Sequence, residues 1–297
     1  MNILAILLLL SQLTLAGNRD GVLRVAVAGD TGEGAERVAA GIRTVHAGKP
    51  LDAIFLTGDT FYPCGVATPS DPQWSRVHPL TGLGVAIYPV LGNHDYCGKS
   101  DPEAQVRATG LVPNWNFPAR DYVLHTGIAD VLFIDTTPLA KGRANETAAT
   151  IEKAFAGSTA PWRVVVGHHP VLSSGYHGYF PRAEVRRMRT LIPALRSARV
   201  DFYMCGHDHH MEVLRGRMLY LVSGAGSDPI PPIKLRASTI YPPEIGRERV
   251  GFAVVEIRAD SIRLRIYDER GKARTEWIER ERGGQAESPA LHCCAVS

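Results

Sequence analysis

The sequence predicts an α/β fold, and three observations carry that expectation. Short apolar, β-rich runs alternate with helical stretches along most of the 297 residues. Five of those runs end in a Gly-led turn that carries Asp, Asn or His. Near the C-terminus, alternating runs separated by short breaks read as a strand meander. With no linker composition and no internal repeat, one domain with two β-layers and outer helices is the economical arrangement.

The strands follow in order. Leu23–Ala28, Ala53–Leu56, Val85–Leu91, Val164–Val166 and Phe202–Cys205 are nearly continuous in apolar character, as expected of strands covered on both faces. Tyr122–His125 and Val131–Ile134 read as a hairpin around 126–130. Met218–Val222 is a further run, and the Pro-rich stretch Asp228–Pro243 after it reads as loop. Gly251–Ile257, Ser261–Tyr267 and Ala273–Ile278 make the meander. Helices are expected at Ala35–His46, with Val38, Ile42 and Val45 on one stripe, and at Glu146–Ala156, capped by Asn145 or Thr147. A third is expected at Arg182–Ala198, with Pro193 as a kink. Its many arginines read as a solvated face.

Hydrophobic content of 45% and charged content of 21% are ordinary for a soluble domain. The net charge of +3 suits an anionic substrate but is no nucleic-acid footprint. Residues 1–16 are apolar, lack charged side chains and end in the small pair Thr14 and Ala16, which reads as a signal peptide cleaved before Gly17, with an uncleaved N-terminal anchor as the alternative. The domain then spans 17–281 and a polar tail 282–297. No other segment is long and apolar enough to span a bilayer. Export to a secreted, periplasmic or lysosome-like compartment permits disulfides. Of five cysteines, Cys64 and Cys97 each follow a Gly-led turn, and would bridge if those turns are neighbours. Cys205 reads as a buried thiol, and Cys293-Cys294 lies in the tail. Asn145-Glu146-Thr147 is a glycosylation sequon or a plain hydrophilic loop. Nothing in the sequence fixes an oligomeric state.

The five turns are Gly29-Asp30-Thr31-Gly32, Gly58-Asp59-Thr60-Phe61-Tyr62, Gly92-Asn93-His94-Asp95, Gly167-His168-His169-Pro170 and Gly206-His207-Asp208-His209. In open α/β sheets, ligands bind beyond the carboxyl ends of strands, so these side chains can converge on one crevice. Carboxylate and phenolate oxygens suit trivalent iron, whereas imidazole and amide oxygen suit a divalent ion. One carboxylate can bridge both. A phenol of pKa about 10 ligates at acidic pH only when a strongly Lewis-acidic metal displaces its proton.

On these motifs the chain resembles the small, tartrate-resistant type of purple acid phosphatase, within the calcineurin-like metallophosphoesterases. The pattern GDxG, GDxxY, GNH(D/E), VxxH, GHxH is met in full, with VxxH at Val165-Val166-Gly167-His168. Trp115-Asn116-Phe117-Pro118, Ser223-Gly224-Ala225-Gly226 and His177-Gly178 extend the likeness. The resemblance implies a four-layer α/β/β/α sandwich with two mixed β-sheets. It implies Fe(III) on Asp30, Asp59, Tyr62 and His209, and Fe(II), Zn(II) or Mn(II) on Asp59, Asn93, His168 and His207. Asp59 bridges the two ions. His94 and His177 would touch the phosphate or the leaving group, and Asp95 and Asp208 would orient imidazoles. His169 and His210 have no assigned part beyond a structural or rim role. The stretch Thr136–Asn145 is shorter than the cleavable loop of the mammalian members.

The implied activity is hydrolysis of phosphate monoesters by attack of a metal-bound hydroxide, with a histidine as general acid. An ordinary imidazole pKa near 6.5 suits that donor at mildly acidic pH. The alternatives are a metallophosphodiesterase or a nucleotide or pyrophosphate hydrolase, against which Tyr62 speaks, and a redox-active di-iron protein. A secreted metal- or phosphate-binding protein without turnover is a third, and would not require His94 and His177.

Overall fold

A computed structural model describes residues 10–15, 19–143, 146–241 and 249–283. The strands in chain order are Ser11–Thr14 (β1), Leu23–Ala28 (β2), Ala53–Leu56 (β3), Ala86–Pro89 (β4), Tyr122–His125 (β5), Ala129–Phe133 (β6), Trp162–Val166 (β7) and Phe202–Cys205 (β8). Met211–Arg215 (β9), Leu219–Ser223 (β10), Thr239–Tyr241 (β11), Gly251–Ile257 (β12), Ser261–Asp268 (β13) and Ile278–Glu281 (β14) complete them. One sheet runs β1-β5-β6-β7-β8-β10-β9-β11 and the other β14-β13-β12-β2-β3-β4. Both are mixed. β2, β3 and β4 are mutually parallel, as are β6, β7, β8 and β10, while β12 and β13 pair antiparallel beside β2.

The helices are Ala35–Gly48 (α1), His78–Thr81 (α2), Pro102–Arg107 (α3), Thr137–Ala140 (α4), Thr147–Ala154 (α5), Arg182–Arg189 (α6) and Ile192–Ser197 (α7). Side-chain alternation explains the layers. On β7, Val164 and Val166 face the six-stranded sheet and join Phe55, Phe133 and Met204 in one core. Val165 between them faces the other way and packs with Tyr203, Ile151, Met188 and Leu195 beneath α5, α6 and α7. α1 buries Val38, Ile42 and Val45 as its stripe predicts, in the core cluster that also contains Phe252 of β12. The result is helices, sheet, sheet, helices.

Several expectations are corrected. The 182–198 segment is two helices, because Pro193 starts a second helix in its first turn, where its missing N–H costs nothing. The 228–243 stretch is not all loop, since Thr239–Tyr241 adds an edge strand to β9. The last meander strand lies at Ile278–Glu281, later than expected, while Ala273 makes only an isolated bridge to Tyr267. Helix α5 begins at Thr147 after Glu146 with no side-chain cap, and Asn145 lies outside the described residues, as do Cys293 and Cys294. Ser11–Thr14, within the stretch read as a leader, lies parallel to β5 at the sheet edge. Cys64 and Cys97 form the disulfide, and Cys205 is a buried free thiol. Among the described residues no helix is long and apolar enough to cross a membrane.

Candidate metal centre

Parallel neighbours bring their carboxyl ends to one edge, and that fixes where the motifs meet. Asp30, Asp59 and Asn93 follow β2, β3 and β4 of one sheet, and His168 and His207 follow β7 and β8 of the other. The left-handed backbone falls on Asp30 (φ 54°), Asp59 (φ 49°) and His207 (φ 66°) themselves, a conformation that is uncommon outside Gly. The leading glycines serve mainly close approach. A Cβ on Gly92 would stand 2.1 Å from Asp59 Oδ1, and one on Gly206 2.3 Å from Asp30 Oδ2.

All seven predicted ligand side chains converge, in two groups of four that share Asp59 Oδ2. In the first, Tyr62 Oη lies 3.2 Å from Asp30 Oδ1, 3.5 Å from Asp59 Oδ2 and 3.1 Å from His209 Nε2, which is 3.4 Å from Asp30 Oδ1. In the second, His168 Nε2 lies 3.0 Å from Asn93 Oδ1, 3.3 Å from Asp59 Oδ2 and 3.1 Å from His207 Nδ1. Donors about 2.1 Å from a shared cation stand roughly 3.0–3.5 Å apart in octahedral or tetrahedral geometry. The spacing therefore fits one ion per group.

The outward atoms are tied down, so the inward ones are aimed. His168 Nδ1 donates to Thr57 O at 2.8 Å and His209 Nδ1 to Asp228 O at 3.1 Å, which leaves each Nε2 facing the centre. His207 is turned the other way: Nε2 faces Glu184 Oε1 at 3.3 Å and Nδ1 faces inward. Around His168 Nε2, Asn93 Oδ1, Asp59 Oδ2 and His207 Nδ1 are then all acceptors, and a single proton on Nε2 cannot serve three of them. A cation would.

Electrostatics agree. Burial would raise the Asp59 carboxyl, but His168, His94 and His207 around it hold it well below the usual carboxylate range. Burial opposes a charge on His168, yet Asp59 and Asp30 push it up to about 10. Burial, with Asp30 and Asp59 alongside, pushes the Tyr62 phenol far above its ordinary range. Without a cation, this cluster holds protons where ligands are called for.

His94 lies at the rim, with Nδ1 2.6 Å from Pro63 O and Nε2 3.9 Å from Asp59 Oδ2. His177 stands on the other side, its ring 3.7 Å from that of His207 between centroids. Asp95 and Asp208 do not orient imidazoles as expected; they fasten backbone. Asp95 accepts from Gly92 N at 2.7 Å and from Gln105 Nε2 at 2.6 Å, and burial beside Asp59 lifts its carboxyl to about 7. Asp208 accepts from His177 N at 2.9 Å and Ser173 Oγ at 2.5 Å. His169 is buried against Thr136 Oγ1 at 2.8 Å, and His210 against Glu212 Oε2 at 3.2 Å. The residue that sequence reasoning missed is Glu184. It lies on α6 among the arginines taken as a solvated face, and its Oε1 meets both His177 Nδ1 at 2.9 Å and His207 Nε2.

Comparison with known proteins agrees with this geometry. A family profile described as calcineurin-like phosphoesterase matches residues 23–211. Purple acid phosphatase 7 of Arabidopsis thaliana is 30% identical over 70% of this chain and 71% of its own length. Human tartrate-resistant acid phosphatase type 5 is 28% identical over 90% and 94% of the two chains. Among solved structures, GAP50, the anchor in the inner membrane complex of Plasmodium, shares the fold with a TM-score of 0.73 at 22% identity, covering 89% of this chain and 90% of that one. Purple acid phosphatase PPD1 from yellow lupin seeds shares it with a TM-score of 0.65 at 18% identity, covering 88% and 54%. The motifs, the two-sheet frame and these relatives agree: the chain belongs to the calcineurin-like phosphoesterase family, on its purple acid phosphatase branch.

Proposed function

We propose that the chain is an acid phosphatase that hydrolyses phosphate monoesters at two metal ions. Asp30, Asp59, Tyr62 and His209 would hold Fe(III), and Asp59, Asn93, His168 and His207 would hold Fe(II), Zn(II) or Mn(II). The observation that carries this reading is the pair of four-donor groups meeting at Asp59 Oδ2. When bound, two such ions offset the charge of the ester and acidify water.

The chain's own residues supply the rest. His94, fastened at Nδ1 by Pro63 O, presents Nε2 to the substrate phosphate oxygens. His177, held by its backbone N–H to Asp208, delivers a proton to the leaving alkoxide oxygen. In this reading the phosphoryl group passes directly to water, with no Ser or Cys in either donor group to receive it. The Cys64–Cys97 disulfide supports an exported protein.

The test is metal analysis and a visible spectrum of the purified chain, followed by phosphate release from a monoester and a diester across acidic pH. Two metals per chain, a visible band lost in Tyr62→Phe, and monoester turnover are expected. A trapped covalent phosphoenzyme, or preference for the diester, would overturn the proposal.

A further inference from the structure

Glu184 sits in the first turn of α6, outside every motif, yet it is half-buried beneath the site. One of its oxygens, Oε1, lies 2.9 Å from His177 Nδ1 and 3.3 Å from His207 Nε2. A carboxylate only accepts, so both ring nitrogens must carry the protons. For His207 this has one consequence. With its hydrogen on Nε2, the bare nitrogen is Nδ1, and Nδ1 is the atom that lies 3.1 Å from His168 Nε2 in the second donor group. The opposite tautomer would aim an N–H at the cation and a lone pair at a carboxylate. For His177 the same oxygen fixes the ring against that of His207, with centroids 3.7 Å apart and planes at 43°.

We propose that Glu184 is a positioning residue: through one carboxylate oxygen it selects the metal-binding tautomer of His207 and aligns His177 beside it, tying the divalent site to the proton donor. This rests on the two-metal reading above. Asp208 complements it, since it holds the His177 backbone while Glu184 holds the ring.

The experiment uses the full chain stripped of metal and titrated with Zn(II); the His207 ring nitrogens are followed by 15N NMR before titration, in a His168→Ala background that removes the other N–H facing His207 Nδ1. With Glu184 in place, His207 should show a single tautomer with hydrogen on Nε2, and the wild-type chain should bind two ions. Glu184→Leu should mix the two His207 tautomers and weaken the second ion by about 10- to 100-fold, the usual range for losing a partner of a ligand. Glu184→Gln keeps an acceptor oxygen and should recover most of that loss. A merely structural role would lower stability without altering the tautomer. Wild-type Zn(II) affinity with an unchanged His207 tautomer in Glu184→Leu would overturn the proposal. If that variant does not fold, Glu184→Asp, which withdraws the oxygen by one methylene, gives the same reading with the same two outcomes. A wild-type chain that binds fewer than two ions would remove the two-metal reading itself.

Discussion

Loading the metal-free chain should release protons, and the structure says from where. His168 Nε2 points into the second donor group, and Asp59 and Asp30 hold its pKa at about 10 against the pull of burial. At pH 7 the imidazole is therefore charged, and a metal must displace that proton. Three units of competition amount to about 4 kcal/mol, or roughly a thousandfold in apparent affinity. The sign follows from competition for one lone pair: affinity rises with pH, by about one log unit per pH unit, until pH passes the His168 pKa. His207 holds its proton less firmly than His168, because burial, with His168 and His177 close by, lowers its pKa against the pull of Glu184. The Tyr62 phenol, pushed upward by burial and by Asp30 and Asp59, is also protonated and must release a second proton if it ligates. Calorimetric titration between pH 6 and 8, in buffers of different ionisation enthalpy, counts the protons directly. At least two should leave as both groups fill, because against the pull of burial Asp30 also raises the His209 imidazole, and one fewer in Tyr62→Phe. Affinity that is flat over this range, or release near zero, would refute the assignment of His168 as a ligand.

Three further outcomes are expected. Gly92→Ala places a Cβ 2.1 Å from Asp59 Oδ1 and 2.5 Å from its backbone N, so the shared carboxylate must move; metal affinity should fall on the order of tenfold or more, read by Zn(II) titration. Glu256 is buried, which would raise its pKa, but Lys49, Arg263 and Arg24 bring it down to about 2 from an ordinary 4.5. Its depressed pKa stabilises the fold fully above pH 4.5, and that contribution is lost as pH falls through about 2. Glu256→Gln should thus cost about 3 kcal/mol at pH 7 in urea unfolding, with the difference from wild type shrinking under acid. The Cys64–Cys97 bridge spans a separation of 33 residues, so Cys97→Ser should cost about 3–4 kcal/mol in the chain-entropy view and lower the melting temperature.

The frame and the donors were legible for one reason: both are written in local patterns. β2, β3 and β8 have the predicted bounds because apolar runs stop at a Gly or, for β3, at the Thr57 before Gly58, and the chemistry sits just after each stop. What stayed hidden is long-range. Thr239–Tyr241 pairs with β9 although nothing in its composition separates it from the surrounding loop. Glu184 is an acid in an Arg-rich helix, and its meaning comes only from the two histidines that the fold delivers to it. Asp95 and Asp208 sit within the motifs, so their presence was legible, but their partners are backbone N–H groups, the Gln105 amide and the Ser173 hydroxyl, which spacing does not reveal.

Each of the two buried aspartates divides its oxygens between two tasks, and that division explains the strained backbone. Asp30 Oδ2 accepts from His207 N at 2.9 Å across the two sheets, while Oδ1 faces Tyr62 and His209. Asp59 Oδ1 accepts from His94 N at 2.9 Å, while Oδ2 faces both donor groups. A left-handed conformation at Asp30, Asp59 and His207 costs on the order of 1–2 kcal/mol per residue. It persists because parallel strands fix the chain before each turn and these crossed hydrogen bonds fix it after. The donors are thus set by the protein fold, not gathered by the ion. Metal should therefore raise the melting temperature by mass action while leaving secondary structure unchanged, as far-UV circular dichroism of the stripped and loaded chain would show. A large gain in ordered structure on loading would mean that the ion builds the site.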